Sequence, residues 1–339
     1  MDVLEFAAQY AAGERDFAGI NLAGANLGGM NLSGANLTQA VLASTQFDRA
    51  NLTQVNLSGA YLYGATVQYA RLTSANLVGA DFTKANLSGA NLAKANLTRA
   101  RFSGAILKGV NLRQANLSGV NFCGANLSGI NLRSANLTEA NLQWANLSGA
   151  RLSGAILTNA KLDNVRLSQA YLNGVDLHGV DLDGVDLSNS KLNGTNLSGA
   201  NLTVANLDDV CLRWANLSGA NLHAASLNGA ALDHANLESA NLNQCDLMEA
   251  TLHHANLNRA NLNGAKLYGA NLSSVNLTNA SLWAAKLDRA VLQDANLSGA
   301  NLQGASLRQT DLSRIRCSLQ TQFPETNLTP CDDRSLSYA

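Results

Sequence analysis

Leu or Phe recurs every fifth residue from Phe17 to Leu312, with Val67 the single exception and no break in frame. Two positions before most of them stands a small residue, usually Ala, so the local unit reads Ala-Asn-Leu-Ser-Gly, as at Ala145 to Gly149. A helix repeats near 3.6 residues and a strand near 2, and five fits neither. It fits two inward residues followed by a corner: the small residue and the Leu point in, and three residues turn the chain. The glycines agree. All except Gly13 and Gly28 fall two places after the Leu, where a type II turn needs positive φ. Where Asn, Gln, Arg or Ser replaces Gly, a different turn geometry is expected.

The number of corners per coil is readable too. Phe replaces Leu at Phe82, Phe102 and Phe122, spaced by 20, and Asn recurs at 36, 56, 76, 96, 116 and 136 and again from 196 to 296. Bulky rings stack on successive coils, so one coil takes 20 residues and four sides. The chain of 339 residues therefore reads as an all-β solenoid, in which each coil buries about four Leu and four small residues and leans on its neighbours for stability. Proline is absent until Pro324, as a ladder of parallel backbone bonds demands.

The pattern small-polar-Leu-x-x resembles the pentapeptide-repeat family, over about nine-tenths of the chain. The resemblance implies a right-handed quadrilateral β-helix of about 15 coils, a rod of roughly 70 Å at the inter-strand spacing. It also implies a bacterial protein, since the family is common in cyanobacteria. Residues 1–15 are expected to form an N-terminal helical cap, 16–317 the repeat β-helix, and 318–339 a C-terminal cap and tail. Asp2 with Glu5 suits a capping box, Val3, Phe6, Ala7 and Tyr10 share one helical face, and Gly13 suits the stop. Phe323 and Leu328 are candidates to fold over the last coil, with Asp332 to Ala339 a disordered end.

Charged residues are 14% of the chain and the formal net charge is −1, so whole-protein charge names no polyionic partner. No basic-then-apolar leader and no apolar run long enough to span a bilayer appears, which points to a cytoplasmic protein away from membranes. Of five cysteines, Cys245 and Cys317 fall on inward positions and Cys123 and Cys211 outward. Free thiols are expected, with a Cys317–Cys331 bridge the alternative.

No motif for phosphate binding, nucleophilic catalysis or metal hydrolysis occurs, so no cofactor and no enzymatic activity is expected. The many Asn-Leu-Ser and Asn-Leu-Thr triplets are by-products of the repeat. His234 and His254 are 20 apart and should stack, with His253 beside them; no convergent third ligand type makes this a metal centre. Asp176, Asp181, Asp183 and Asp186 form an acidic belt facing water on successive sides. The Asn column suggests stacked amides that bond between coils.

The charge map by side is more telling. On the side that includes Leu32, the outward residues include Arg71, Lys94, Arg113, Arg133, Arg151, Lys191 and Arg213, interleaved with Tyr171 and Trp214, and no acid occurs there between Asn31 and Trp214. The preceding side is acidic over Asp186, Asp208, Asp209, Asp246 and Glu249. A basic stripe with aromatics fits an acidic protein or a phosphate backbone, or is merely a solvated face. The expected function is a non-enzymatic scaffold or protein-binding rod, monomeric or dimeric end to end, with an acidic protein as the partner class and nucleic acid disfavoured. Some members of the resembled family protect DNA gyrase through acidic rods or extruded loops. The near-zero charge and unbroken frame here argue against that role.

Overall fold

The computed structural model describes residues 1–324, which divide into two compact units, Met1–Tyr171 and a second beginning at Leu172. The repeat satisfies its own backbone one five-residue step at a time. Around Leu57, Asn56 N donates to Ala35 O, Leu57 N to Asn76 O, Gly59 N to Val78 O and Ala60 N to Leu57 O, all at 2.8–3.0 Å. The remaining donor, Ser58 N, reaches the Asn56 side-chain Oδ1 at 3.2 Å. No N–H in the step is left over, which is what a buried ladder requires.

Within the first unit, parallel pairings at an interval of 20 residues run from Asp16 with Asn36 to Arg151 with Tyr171. Within the second they run from Asp176 with Asn196 to Asn301 with Gln322, where the last interval is 21. One coil is therefore 20 residues with four inward Leu positions, as the Phe spacing requires. At the end of the second unit the extra residue falls between Arg316 and Gln322, past the buried Ile315 and Cys317, and there the five-residue frame stops.

The core of each unit is a column of these side chains. Leu, Phe and Ala at the inward positions are almost all 0–1% exposed. Phe82 stacks on Phe102 at 5.0 Å between ring centroids, and Phe102 packs against Phe122 at 5.2 Å with the rings tilted by 31°. Val55, Val110 and Val175 fit the small position fully buried, while Met30 stays half-buried in the first coil. Polar residues at the small position are satisfied by a carbonyl of the coil before: Thr45 Oγ1 donates to Leu22 O and Thr195 Oγ1 to Leu172 O, each at 2.9 Å. Cys245 Sγ does the same to Leu222 O, and burial pushes its thiol up to about 12.

The corners correct one expectation. Residues that replace Gly keep positive φ: Gln39 at 56°, Arg49 at 59°, Ser74 at 56°, against 64° for Gly59. The left-handed region costs a side-chain-bearing residue about 1–2 kcal/mol. It persists because the N–H at this position is a rung of the ladder, Gln39 N to Ser58 O at 2.9 Å and Arg49 N to Gln68 O at 2.8 Å. Losing the turn would orphan that donor.

In the first unit, α1 (Val3–Ala11) begins at Asp2, whose carboxylate accepts from Glu5 N at 2.8 Å. Phe6 is its one buried residue and meets Phe17 edge-on at 4.6 Å. Tyr10 Oη donates to Ser33 O at 2.8 Å and Arg15 lies over the Tyr10 ring. Cys123, Cys211 and Cys245 are free, but Cys317 is disulfide-bonded, against the free-thiol expectation. Cys331, Leu328 and the tail from Asp332 lie outside the described residues.

Candidate interaction face

What each outward position can do follows from its place in the step. The residue before Leu carries the ladder, and Asn there does two jobs. Its Oδ1 accepts from the N–H two residues on, an Asx turn, and from the Ser or Thr hydroxyl of the same residue, as Ser58 Oγ does at 2.8 Å and Thr98 Oγ1 at 2.7 Å. Its Nδ2 reaches the coil before: Asn76 to Asn56 at 3.1 Å in the first unit, Asn256 to Asn236 at 3.1 Å in the second. The Asn-Leu-Ser triplets are thus a structural device. Asp176 and Asp181 take the same role, accepting from Asn196 and Asn201 at 2.8 Å, so the acidic belt is partly ladder.

The candidate basic residues separate by unit. In the first unit Arg71, Lys94, Arg113, Arg133 and Arg151 all lie on one side, exposed, and their side chains have no ionic or hydrogen-bond partner among the described residues. Arg71 and Arg151 sit before a Leu, Arg113 and Arg133 one residue after, and Lys94 on the corner at φ 61°. Tyr171 ends this column, 44% exposed.

In the second unit the candidates are engaged. Lys191 Nζ lies 3.1 Å from Cys211 Sγ, Arg213 Nε pairs with Asp233 at 3.1 Å, and Trp214 stacks on His234 at 3.9 Å with planes 2° apart. His234 continues to His254 at 5.2 Å, as the 20-residue spacing anticipates, and His253 Nδ1 sits 2.8 Å from Ser273 Oγ. Among the described residues no group of three or more His, Cys, Asp or Glu is arranged to hold a metal ion.

Four ion pairs were not read from the sequence: Asp81–Arg101, Arg213–Asp233, Asp246–Lys266 and Asp294–Arg314. Every one joins residues 20 apart, so the coil length could have found them. Asp81 is the most buried of these acids. Burial raises its carboxyl, but hydrogen bonds from Thr83 and the Arg101 guanidinium outweigh this and hold it below the usual carboxylate range.

A family description, Pentapeptide repeats (8 copies), matches overlapping segments that together run from residue 16 to 314: 16–54, 40–77, 75–114, 115–154, 150–189, 181–219, 215–253, 245–283 and 276–314. No curated protein matches the chain. Among solved structures, HetL is a pentapeptide repeat protein involved in heterocyst differentiation regulation from the cyanobacterium Nostoc sp. strain PCC 7120. It is 28% identical over 94% of this chain and 97% of its own, at a TM-score of 0.25. QnrB1, a plasmid-mediated fluoroquinolone resistance protein, is 16% identical over 60% and 89%, at 0.29. Rfr23, from the cyanobacterium Cyanothece 51142, is 23% identical over 44% and 90%, at 0.20. The repeat matches, not these superpositions, decide the family.

Proposed function

Because the chain belongs to the pentapeptide-repeat family, whose members fold as right-handed quadrilateral β-helices and are generally non-enzymatic, we propose that it is a binding scaffold whose first unit offers a basic face to an acidic protein. In this reading residues 16–317 form the repeat domain of about fifteen coils and residues 1–15 cap it; most of the segment 318–339 lies outside the described residues. The protein acts in the cytoplasm, as a monomer or an end-to-end dimer. No helix among the described residues is long and apolar enough to cross a membrane.

One observation carries the proposal. Arg71, Lys94, Arg113, Arg133 and Arg151 share a side with no acid, and none has a partner of its own among the described residues. Charges that stabilise the fold should be paired within it, and these make no such pair among the described residues. Lys191, Arg213 and Trp214, engaged in the second unit, leave the candidate set. Exposed charges are screened within about 8–10 Å, so capture should be modest and fade with salt. The test is an unbiased pull-down at low salt with wild type and Arg113→Glu/Arg133→Glu/Arg151→Glu. The reading expects partners lost from the variant at an unchanged Tm. A variant that retains every interactor of the wild type would overturn it.

A further inference from the structure

The first unit also has a concave corner, where two neighbouring sides meet over three successive coils. Arg49 and Tyr69 occupy the last corner position of one side; Asn51 and Arg71 open the next. With Gly29 beneath, they line a depression of about 570 Å³, and an adjoining one of about 480 Å³ adds Gly28, Asp48 and Gln68. The volumes fall in the small-molecule range, and both depressions open widely to solvent. The floor carries no side chain, since Gly29 stands at φ 70° with open space where a Cβ would project.

Asn51 is spent on the ladder, donating to Asn31 and accepting from Thr53, but the two guanidiniums are not. Neither the Arg49 nor the Arg71 side chain has an ionic or hydrogen-bond partner among the described residues. The Tyr69 ring is held from the other coil: it lies so close over Gly89 that a Cβ there would meet ring atoms at 2.6 Å. Tyr69 is nonetheless 63% exposed. The bordering carboxylate, Asp48, already accepts from Thr66 Oγ1 at 3.1 Å and Gln68 N at 2.8 Å.

The second unit holds an internal control. Tyr268, Asp288, Arg289, Ser306, Arg308 and Gln309 line a depression of about 400 Å³ with the same residue types. There Arg289 lies over the Tyr268 ring at 5.4 Å and donates to Gln309 at 3.0 Å, and Asp288 accepts from Ser306. The ring and the Arg289 guanidinium engage each other there, so of the two lining arginines only Arg308 keeps a side chain without a partner among the described residues.

The geometry points to a small-ligand site at Arg49, Tyr69 and Arg71 that takes a phosphate monoester joined to a planar ring. Two guanidinium forks suit the phosphate, and an exposed, positioned tyrosine suits the ring by stacking. The site needs no protein partner and shares only Arg71 with the basic face.

Titration calorimetry at low salt with adenosine 5′-monophosphate, inorganic phosphate and adenosine tests it. The monophosphate should bind one per chain, about tenfold tighter than phosphate or adenosine alone. Arg49→Gln should weaken it about fivefold, an effect discounted for exposure. Tyr69→Gln should erase the advantage over phosphate. Both variants keep the corner, because Gln39 and Gln54 already hold φ of 56° and 58° at that position. Arg289→Gln and the Arg113/Arg133/Arg151 triple variant should bind as wild type, so this site and the basic face fail separately. Equal binding of all three probes, or wild-type affinity in Arg49→Gln and Tyr69→Gln, would overturn the assignment.

Discussion

The first unit carries thirteen basic and eight acidic residues, a formal +5; the second carries ten and sixteen, a formal −6. Inside, the two are the same object: Leu columns, small residues two before, Asn rungs at 20-residue intervals. Outside, they handle charge differently. Among the described residues, the first unit has one ion pair and leaves ten of its thirteen basic side chains without a partner, whereas the second has three pairs. The difference teaches that the solenoid does not constrain the sign of its surface. Backbone ladders and Leu burial, at about 1.5–3 kcal/mol per Leu, bear the stability. Charge is then free to be set by something other than folding, and an unpaired basic face is where to look for it.

The sharpest test of a shared interior is a buried charge in each unit. Leu137→Lys and Leu237→Lys should both unfold or locally break the solenoid, losing more than about 4 kcal/mol each. Asn141→Lys, on the surface, should cost less than about 1 kcal/mol. Thermal melts followed by circular dichroism check this, and a large difference between the two Leu variants would break the equivalence of the units. A smaller effect separates the exteriors. Asp81 titrates below its ordinary value, so its pairing with Arg101 stabilises fully above about pH 4 and is lost as pH falls through the lowered folded value. Asp81→Asn should cost about 1 kcal/mol at pH 7 and flatten the acid limb of the first unit's stability curve. An unchanged acid limb would show the pair to be ornamental. Smallest of all, Arg213→Gln removes a pair whose arginine is half-exposed, and its Tm should move by no more than about 0.5 kcal/mol implies. A larger drop would mean that the second unit uses its charges for folding.

Much of this fold was legible because its cause is local and periodic. A five-residue step fixes which side chain points in, and Phe82, Phe102 and Phe122 betray the coil length. The exteriors were half legible. The 20-residue rule that stacks His234 on His254 equally pairs Arg213 with Asp233, yet charge was read side by side and not coil by coil. A map of charge by side alone does not register that Arg213 is paired. The corner residues were not legible at all from propensity: Arg49 holds positive φ only because a ladder bond from the next coil fixes it. The Arg49–Tyr69–Arg71 depression escaped for a related reason. Its members belong to two neighbouring sides on successive coils and converge only across a corner.

The central claim is that the first unit's unpaired arginines form a working surface. The direct measurement is retention on immobilised poly-glutamate at rising salt, comparing wild type, Arg113→Glu/Arg133→Glu/Arg151→Glu, and Arg213→Glu/Arg289→Glu/Arg314→Glu. Both triple variants change net charge equally. The account predicts that wild type and the second-unit variant are retained at low salt and elute as salt approaches physiological strength, with the second-unit variant at most slightly earlier, while the first-unit variant flows through. Equal loss of retention in the two variants would mean that only net charge matters, and would contradict the claim.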